Sequence, residues 1–379
     1  MLLANKGKYY EDSDILYSAI YGRNFYECTD RMVQDPLAGD EGRGNVSPLL
    51  VNIETNEMFF MKRVNESFEV MEKYIQKIKN PPNREDILWP CDLIKLETAD
   101  QVQCELAVDQ VYSYSHERTA KYDNLVALFP YGGYPVCENG SRYLSHIGEL
   151  SWKNPKIRNM VIQIATCVKS LNQYGYLYLD FHFSRMFFYE DGKIYLNFTN
   201  LLFFDSDSKT VKNVGYFNKE NCTYPIEFAE PAFVQGKQEM FDYRSQNYSM
   251  TAMFFYLMFG RYAYDGKLMD GYMDDTEREH YEKFRDYHKM PVFIFDPKDD
   301  SNALGTFADE QQILDLWEEI PREIKTLFLH TLCQENAERT GKDRTASPED
   351  WLKCFEKLGW YAAKKENSVT EEETADEGQ

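Results

Sequence analysis

Ser245-Gln246-Asn247-Tyr248-Ser249-Met250-Thr251-Ala252-Met253-Phe254-Phe255-Tyr256-Leu257-Met258-Phe259-Gly260-Arg261 is the stretch that decides the fold class. From Ser249 to Phe259 it is apolar on nearly every side, and a helix apolar all round belongs inside a protein. Its longest apolar run, Ala252 to Phe259, is far short of the ~18 residues that a membrane span needs. A buried helix needs neighbours, and the flanking sequence supplies them. Upstream, Ile157, Met160, Val161, Ile164, Val168 and Leu171 line one face of a helix that Tyr174-Gly175 closes. Downstream, Leu314 to Cys333 and Pro348 to Leu358 read as further helices. Ser347 is placed to cap the last of these, with Glu349 and Asp350 in its first turn, where they favour the helix dipole.

Towards the N-terminus the period changes. Val46 and Leu49-Leu50-Val51, a turn at Glu54-Thr55-Asn56-Glu57, then Met58-Phe59-Phe60-Met61-Lys62 read as strand, turn, strand. Phe68, Met71, Ile75 and Ile78 follow at helical spacing, stopped by Asn80-Pro81-Pro82. Leu125 to Phe129 reads as a buried strand ended by Pro130, and Arg185 to Phe188 and Ile194 to Phe198 as two short strands around a turn at 190–192. Strands first and helices afterwards give an α+β protein that changes character near residues 130–140. Residues 1–29 read as an N-terminal extension, 30–135 and 136–362 as the two main parts, and 363–379 as a polar, acidic, disordered tail.

The totals narrow the partners. Of 379 residues 43% are hydrophobic, enough to form a core, and the formal net charge is −21. That sign argues against nucleic acid, whose affinity comes from neutralised phosphates, and against an anionic membrane surface. It suits a basic protein partner. Eight cysteines occur without any CxxC spacing, so no zinc knuckle or redox pair is visible. Met1 to Lys6 turns polar too early for a signal-peptide core, and reduced thiols in the cytoplasm are the expectation.

Seven short segments, in order, resemble eukaryotic-type protein kinases, bacterial members especially. They are Gly39 to Val46 as the Gly-rich loop, Lys62 at a strand end, and Tyr178-Leu179-Asp180 with Arg185 as the catalytic loop. Asn197-Phe198-Thr199 stands where the family has Asp-Phe-Gly, and Ala229-Glu230-Pro231 resembles Ala-Pro-Glu with the last two exchanged. Ser245 to Arg261 resembles the large central helix, and Arg344 to Trp351 the arginine-led start of a late helix. The resemblance covers about residues 30–360 and implies two lobes, strand-rich then helical. Asp180-Phe181-His182 also resembles the Asp-x-His of small-molecule kinases, but only locally.

What the resemblance implies for the site is largely loss. Gly39, Gly44, Val46, Lys62, Glu72, Phe129 and Tyr131 fall at nucleotide-binding positions, Glu72 being favoured over Glu69 as the lysine's partner. Glu41 replaces the middle loop glycine, where a carboxylate repels phosphate, although a plain surface turn explains the cluster equally. Pro130 stands at the hinge with no N–H to give adenine, in the register that puts Ala127 just before it. Asp180 matches the catalytic aspartate, or serves only to tie its loop. His182, between Phe181 and Phe183, reads as packed and hydrogen-bonded. Arg185 replaces the metal-binding asparagine and is expected to grip Asp180, and Asn197, or Phe198 in the register without a one-residue gap, replaces the metal aspartate. Gln246 stands for the aspartate that supports the catalytic loop from the central helix. Glu230 and Arg344 are implied to form an ion pair.

The resulting expectation is a pseudokinase that acts as a scaffold or allosteric partner in signalling. No cofactor is expected, with ATP free of magnesium left open. The alternative is an active phosphotransferase with a non-standard metal and nucleotide site that uses Lys62, Asp180 and Arg185.

Overall fold

The computed structural model describes residues 15–17, 24–34, 46–52, 54–55, 57–63, 79, 81, 89, 91–95, 125–131, 138–139, 144–145, 147–178, 181–183, 186–188, 194–196, 202–203, 211–212, 226–237, 240–272, 277–305, 307, 310–333 and 345–362. The strands β1 (Ile15–Tyr17), β2 (Asn24–Gln34), β3 (Val46–Asn52), β4 (Met58–Arg63), β5 (Asp92–Lys95) and β6 (Leu125–Tyr131) form one antiparallel sheet in the order β1-β2-β3-β4-β6-β5. The boundary read at residue 29 therefore falls inside β2, which pairs with β3 on both sides of a bulge between Cys28 and Met32. The β3–β4 hairpin closes where the sequence reading put its turn. Asn52 Oδ1 accepts from the backbone N–H of Glu54 at 2.8 Å and of Thr55 at 3.0 Å, an Asx turn.

Strand β6 runs past its expected end at Phe129, through Pro130 to Tyr131. The reason is local. Among the described residues β5 pairs with β6 only from Leu125 to Leu128, so Pro130 is paired with β4 alone, and such a one-sided position is where a sheet tolerates proline. The expected helix around Phe68 to Ile78 lies outside the described residues.

Beyond β7 (Glu138–Asn139), helix α1 (Pro155–Gln173) buries all six residues of its expected apolar stripe to 2% exposure or less. Asn154 caps it by accepting from Lys156 N at 3.0 Å, and Gly175 follows at φ 76°, a conformation that glycine adopts without strain. Then come β8 (Tyr176–Leu177), β9 (Met186–Phe188), β10 (Ile194–Leu196), β11 (Leu202–Phe203) and β12 (Val211–Lys212). β9 and β10 form the expected hairpin, and β8 pairs with β11. After a 3-10 turn at Ile226–Phe228 follow α2 (Pro231–Val234), β13 (Met240–Phe241) and α3 (Tyr243–Phe259).

Helix α3 begins at Tyr243, six residues before the apolar stretch that opens at Ser249. Asp242 caps it through Arg244 N and Ser245 N, and its polar Ser245, Gln246 and Asn247 are buried as well. Helix α4 (Glu277–Tyr287) is mostly charged and was not expected; its buried Phe284 and Tyr287 give it an inner face. The single helix expected at 314–333 is two, α5 (Gln311–Glu319) and α6 (Arg322–Leu332). Pro321 breaks it, because a proline ring pushes the preceding residue out of helical geometry, and Ile320 stands at ψ 141°. Helix α7 (Pro348–Lys357) starts with the expected cap, Ser347 exchanging hydrogen bonds with Asp350.

Aromatic rings fill the centre. Phe255 of α3 lies 5.2 Å from Phe293 and 5.3 Å from Phe328, and Trp351 of α7 5.2 Å from Phe254. Gly266 shows how close the chain comes elsewhere: a Cβ there would sit 2.0 Å from the Asn302 carbonyl oxygen. Asn302 has no room to yield, since its side chain ties Leu268 N, Tyr264 O and Val292 O together. Gly266→Ala is therefore expected to destabilise by about 1–3 kcal/mol, read as a lowered urea midpoint; an unchanged midpoint would show that the loop relaxes freely.

Candidate functional site

The sheet carries part of the site expected from the sequence. Lys62 lies in β4 directly opposite Ala127 of β6, Phe129 opposite Phe60, and Tyr131 opposite Met58, while Val46 opens β3 across from Gln34. Gly39, Gly44, Glu72, Asp180, Arg185, Asn197 and Arg344 lie outside the described residues, and with them the expected Arg185–Asp180 grip.

The chain on both sides of Asp180 is described. Tyr178 and Phe181 are fully buried, their rings edge-on at 4.9 Å. Tyr178 is held from α3, its backbone N–H donating to Gln246 Oε1 at 2.8 Å. Gln246 is itself fully buried, and its Nε2 has no hydrogen-bond partner among the described residues. An amide oxygen thus fixes the start of the 178–183 segment without placing a charge in the core, which would be costly there.

Glu230 is 2% exposed and carries a charge that must be matched. Arg244 Nε meets its Oε1 at 2.8 Å, and the Ser245 hydroxyl donates to Oε2 at 2.6 Å. These two partners, among the described residues, come from the first turn of α3, so the contacts tie the 229–231 segment to that helix. Glu230→Ala is expected to cost about 2–3 kcal/mol, below the usual range for a fully buried pair because Arg244 keeps some access to water. Chemical denaturation of the variant reads this directly, and a loss under about 0.5 kcal/mol would contradict it.

A second cluster lies at the 3-10 turn. Glu227 places Oε1 2.9 Å from His280 Nε2 of α4 and 3.8 Å from His182 Nε2. A carboxylate only accepts, so His280 Nε2 carries the proton of that bond. Burial raises the Glu227 carboxyl, but the His280 hydrogen bond and the two imidazole charges outweigh it and leave Glu227 below the ordinary carboxylate value. His288, at the end of α4, is 1% exposed and donates from Nε2 to the Ile226 carbonyl at 2.6 Å. Burial pushes its pKa down to about 4 against the pull of that hydrogen bond and of Glu227, so it is neutral at pH 7.

This cluster adds to what the sequence offers. His182 is covered less than its two neighbours. Phe181 and Phe183 are buried, whereas the His182 side chain is 34% exposed and faces Glu227. Glu227, His280 and His288 belong to no motif, and His280 lies 53 positions from the carboxylate it meets. The single legible sign was a histidine alternating with two core phenylalanines.

No protein-family model matches the sequence, and no curated protein matches it. Among the described residues no helix is long and apolar enough to cross a membrane, and Cys91, Cys167, Cys333 and Cys354 form no disulfide with one another.

Proposed function

We propose that the chain is a two-lobed, kinase-like protein that acts by binding a protein partner in the cytoplasm, as a scaffold or allosteric partner in signalling, and not by magnesium-dependent phosphoryl transfer. The observation that carries this reading is the bond from Tyr178 N–H to Gln246 Oε1. It joins the buried central helix to the segment leading into Asp180, the place where the resemblance implies a supporting contact, and it does so with a neutral amide. Lys62 opposite Ala127 in the sheet supports the same alignment. The donor set does not fit magnesium. Position 185 is a permanent cation without a lone pair, and position 197 is an amide, where such sites use anionic oxygens. The net charge of −21 favours a basic protein surface as the partner and disfavours nucleic acid.

Transfer of radiolabelled phosphate from ATP tests the chemistry. The purified protein is expected to give none above background, with or without magnesium. Metal neutralisation supplies several kcal/mol in such transition states, and each ~1.4 kcal/mol is tenfold in rate. Magnesium-dependent transfer that vanishes in Asp180→Ala would replace this reading with an active phosphotransferase.

A further inference from the structure

Glu227 stands where three separate pieces of chain meet. Loop 181–183 brings His182, α4 brings His280, and the turn 226–228 brings the carboxylate. Both imidazoles approach the same oxygen, at 3.8 and 2.9 Å, while the other oxygen, Oε2, is buried with no hydrogen-bond partner. The imidazoles are each about one-third exposed, so solvent protons reach them without unfolding. The remaining charged and titratable groups nearby have other partners among the described residues. Lys283 of α4 meets Asp265 at 3.4 Å, Arg244 meets Glu230, and His288 gives its Nε2 to the Ile226 carbonyl.

We propose that Glu227, His182 and His280 form a proton-operated clasp, which closes when the imidazoles become charged and fastens loop 181–183 and turn 226–228 to α4. With a neutral ring, His182 lies beyond hydrogen-bond range. As an imidazolium it is drawn to the carboxylate and gives the unpartnered Oε2 a donor. The existing His280 bond, charged on the acceptor side alone, becomes one between two ions, which strengthens it. Imidazole is the side chain whose charge changes between pH 5 and 8, so the clasp responds in that interval. The carboxylate stays ionised throughout it, being held below its usual range by its surroundings.

The two segments are prepared for this. Phe183 already packs edge-on against Phe228 at 5.5 Å, so the two segments are in contact, and the clasp adds α4 to them. What is fixed is residues 181–183 and 226–228, the latter ending two positions before Glu230. The inference rests on the geometry of Glu227 and stands apart from the kinase-like reading.

Thermal unfolding of the full chain at pH 6 and pH 8 tests it, with Glu227→Gln and His182→Gln beside the wild type. Glu227→Gln keeps an acceptor for His280 and removes only the charge. Each variant is expected to lose at least about twice as many degrees of Tm at pH 6 as at pH 8, because the missing attraction exists only for charged imidazoles. The His288 titration is common to the wild type and His182→Gln and cancels between them, whereas Glu227→Gln also removes a charge that raises the His288 pKa, so His182→Gln is the cleaner comparison. Losses equal at both pH values, or larger at pH 8, would overturn the clasp. Should Glu227→Gln fail to fold, His182→Gln, at a part-exposed side chain, decides alone by the same comparison.

Discussion

Truncating Trp351 to alanine is expected to cost about 3–5 kcal/mol of unfolding free energy, the range for a fully buried aromatic side chain. The indole is completely buried at the junction of three helices. Its rings lie 5.2 Å from Phe254 of α3, 5.1 Å from Phe328 of α6 and 5.6 Å from Phe355 of its own helix. Its Nε1 donates to Thr251 Oγ1 at 3.2 Å, and Thr251 is buried too, so truncation removes packing and a donor together. Trp351→Phe keeps most of the packing and is expected to lose clearly less. Urea unfolding of both variants checks the order, and equal losses would show that the hydrogen bond, not the volume, dominates.

The second large effect depends on pH and comes from His288. Its folded pKa of about 4 lies below the value near 6.5 of an exposed imidazole. Between those values the unfolded chain binds the proton and the folded chain does not. Stability is therefore full above about pH 6.5 and falls as the pH drops towards 4, by about 3 kcal/mol from this one group. His288→Gln can still donate to the Ile226 carbonyl but does not titrate, so its stability should fall by about 3 kcal/mol less over the same interval. Denaturation curves at pH 7 and pH 4 measure the difference, and parallel losses in the two proteins would rule out His288 as the cause. Glu227 adds to the acid sensitivity at lower pH. A carboxyl held below its usual value stabilises the fold above that usual value and ceases to do so as the pH falls through the folded one.

How much of this was legible depended on whether the signal was local. The stripe from Ile157 to Leu171 and the cap at Ser347 follow from residues within one or two turns, and both stand as expected. The start of α3 was misjudged because burial was sought only in apolar residues. Ser245, Gln246 and Asn247 are buried for their hydrogen bonds, which reach to Glu230, Tyr178 and Thr345. Pro321 was overlooked inside an apolar pattern whose period carries across the break. Helix α4 escaped because its charged residues outnumber the two rings that anchor it. In the candidate site, Glu230 was legible as an ionic residue, while the expected Arg344 lies outside the described residues, and the contact with Arg244 had no sign, since no pattern links a carboxylate to an arginine in the next helix. Glu227 and His280 are joined only by tertiary packing, which no spacing announces.

The central claim is that the protein binds without using magnesium and ATP together. Thermal unfolding with ATP alone, with ATP and magnesium, and with ATP and manganese tests it most directly, because a ligand that binds only the folded state raises the melting temperature by mass action. The account predicts that adding either metal produces no shift beyond that of ATP alone, whether that shift is zero or positive. A metal-dependent rise of several degrees, corresponding to about 2.7 kcal/mol at a hundredfold excess over the dissociation constant, would contradict it.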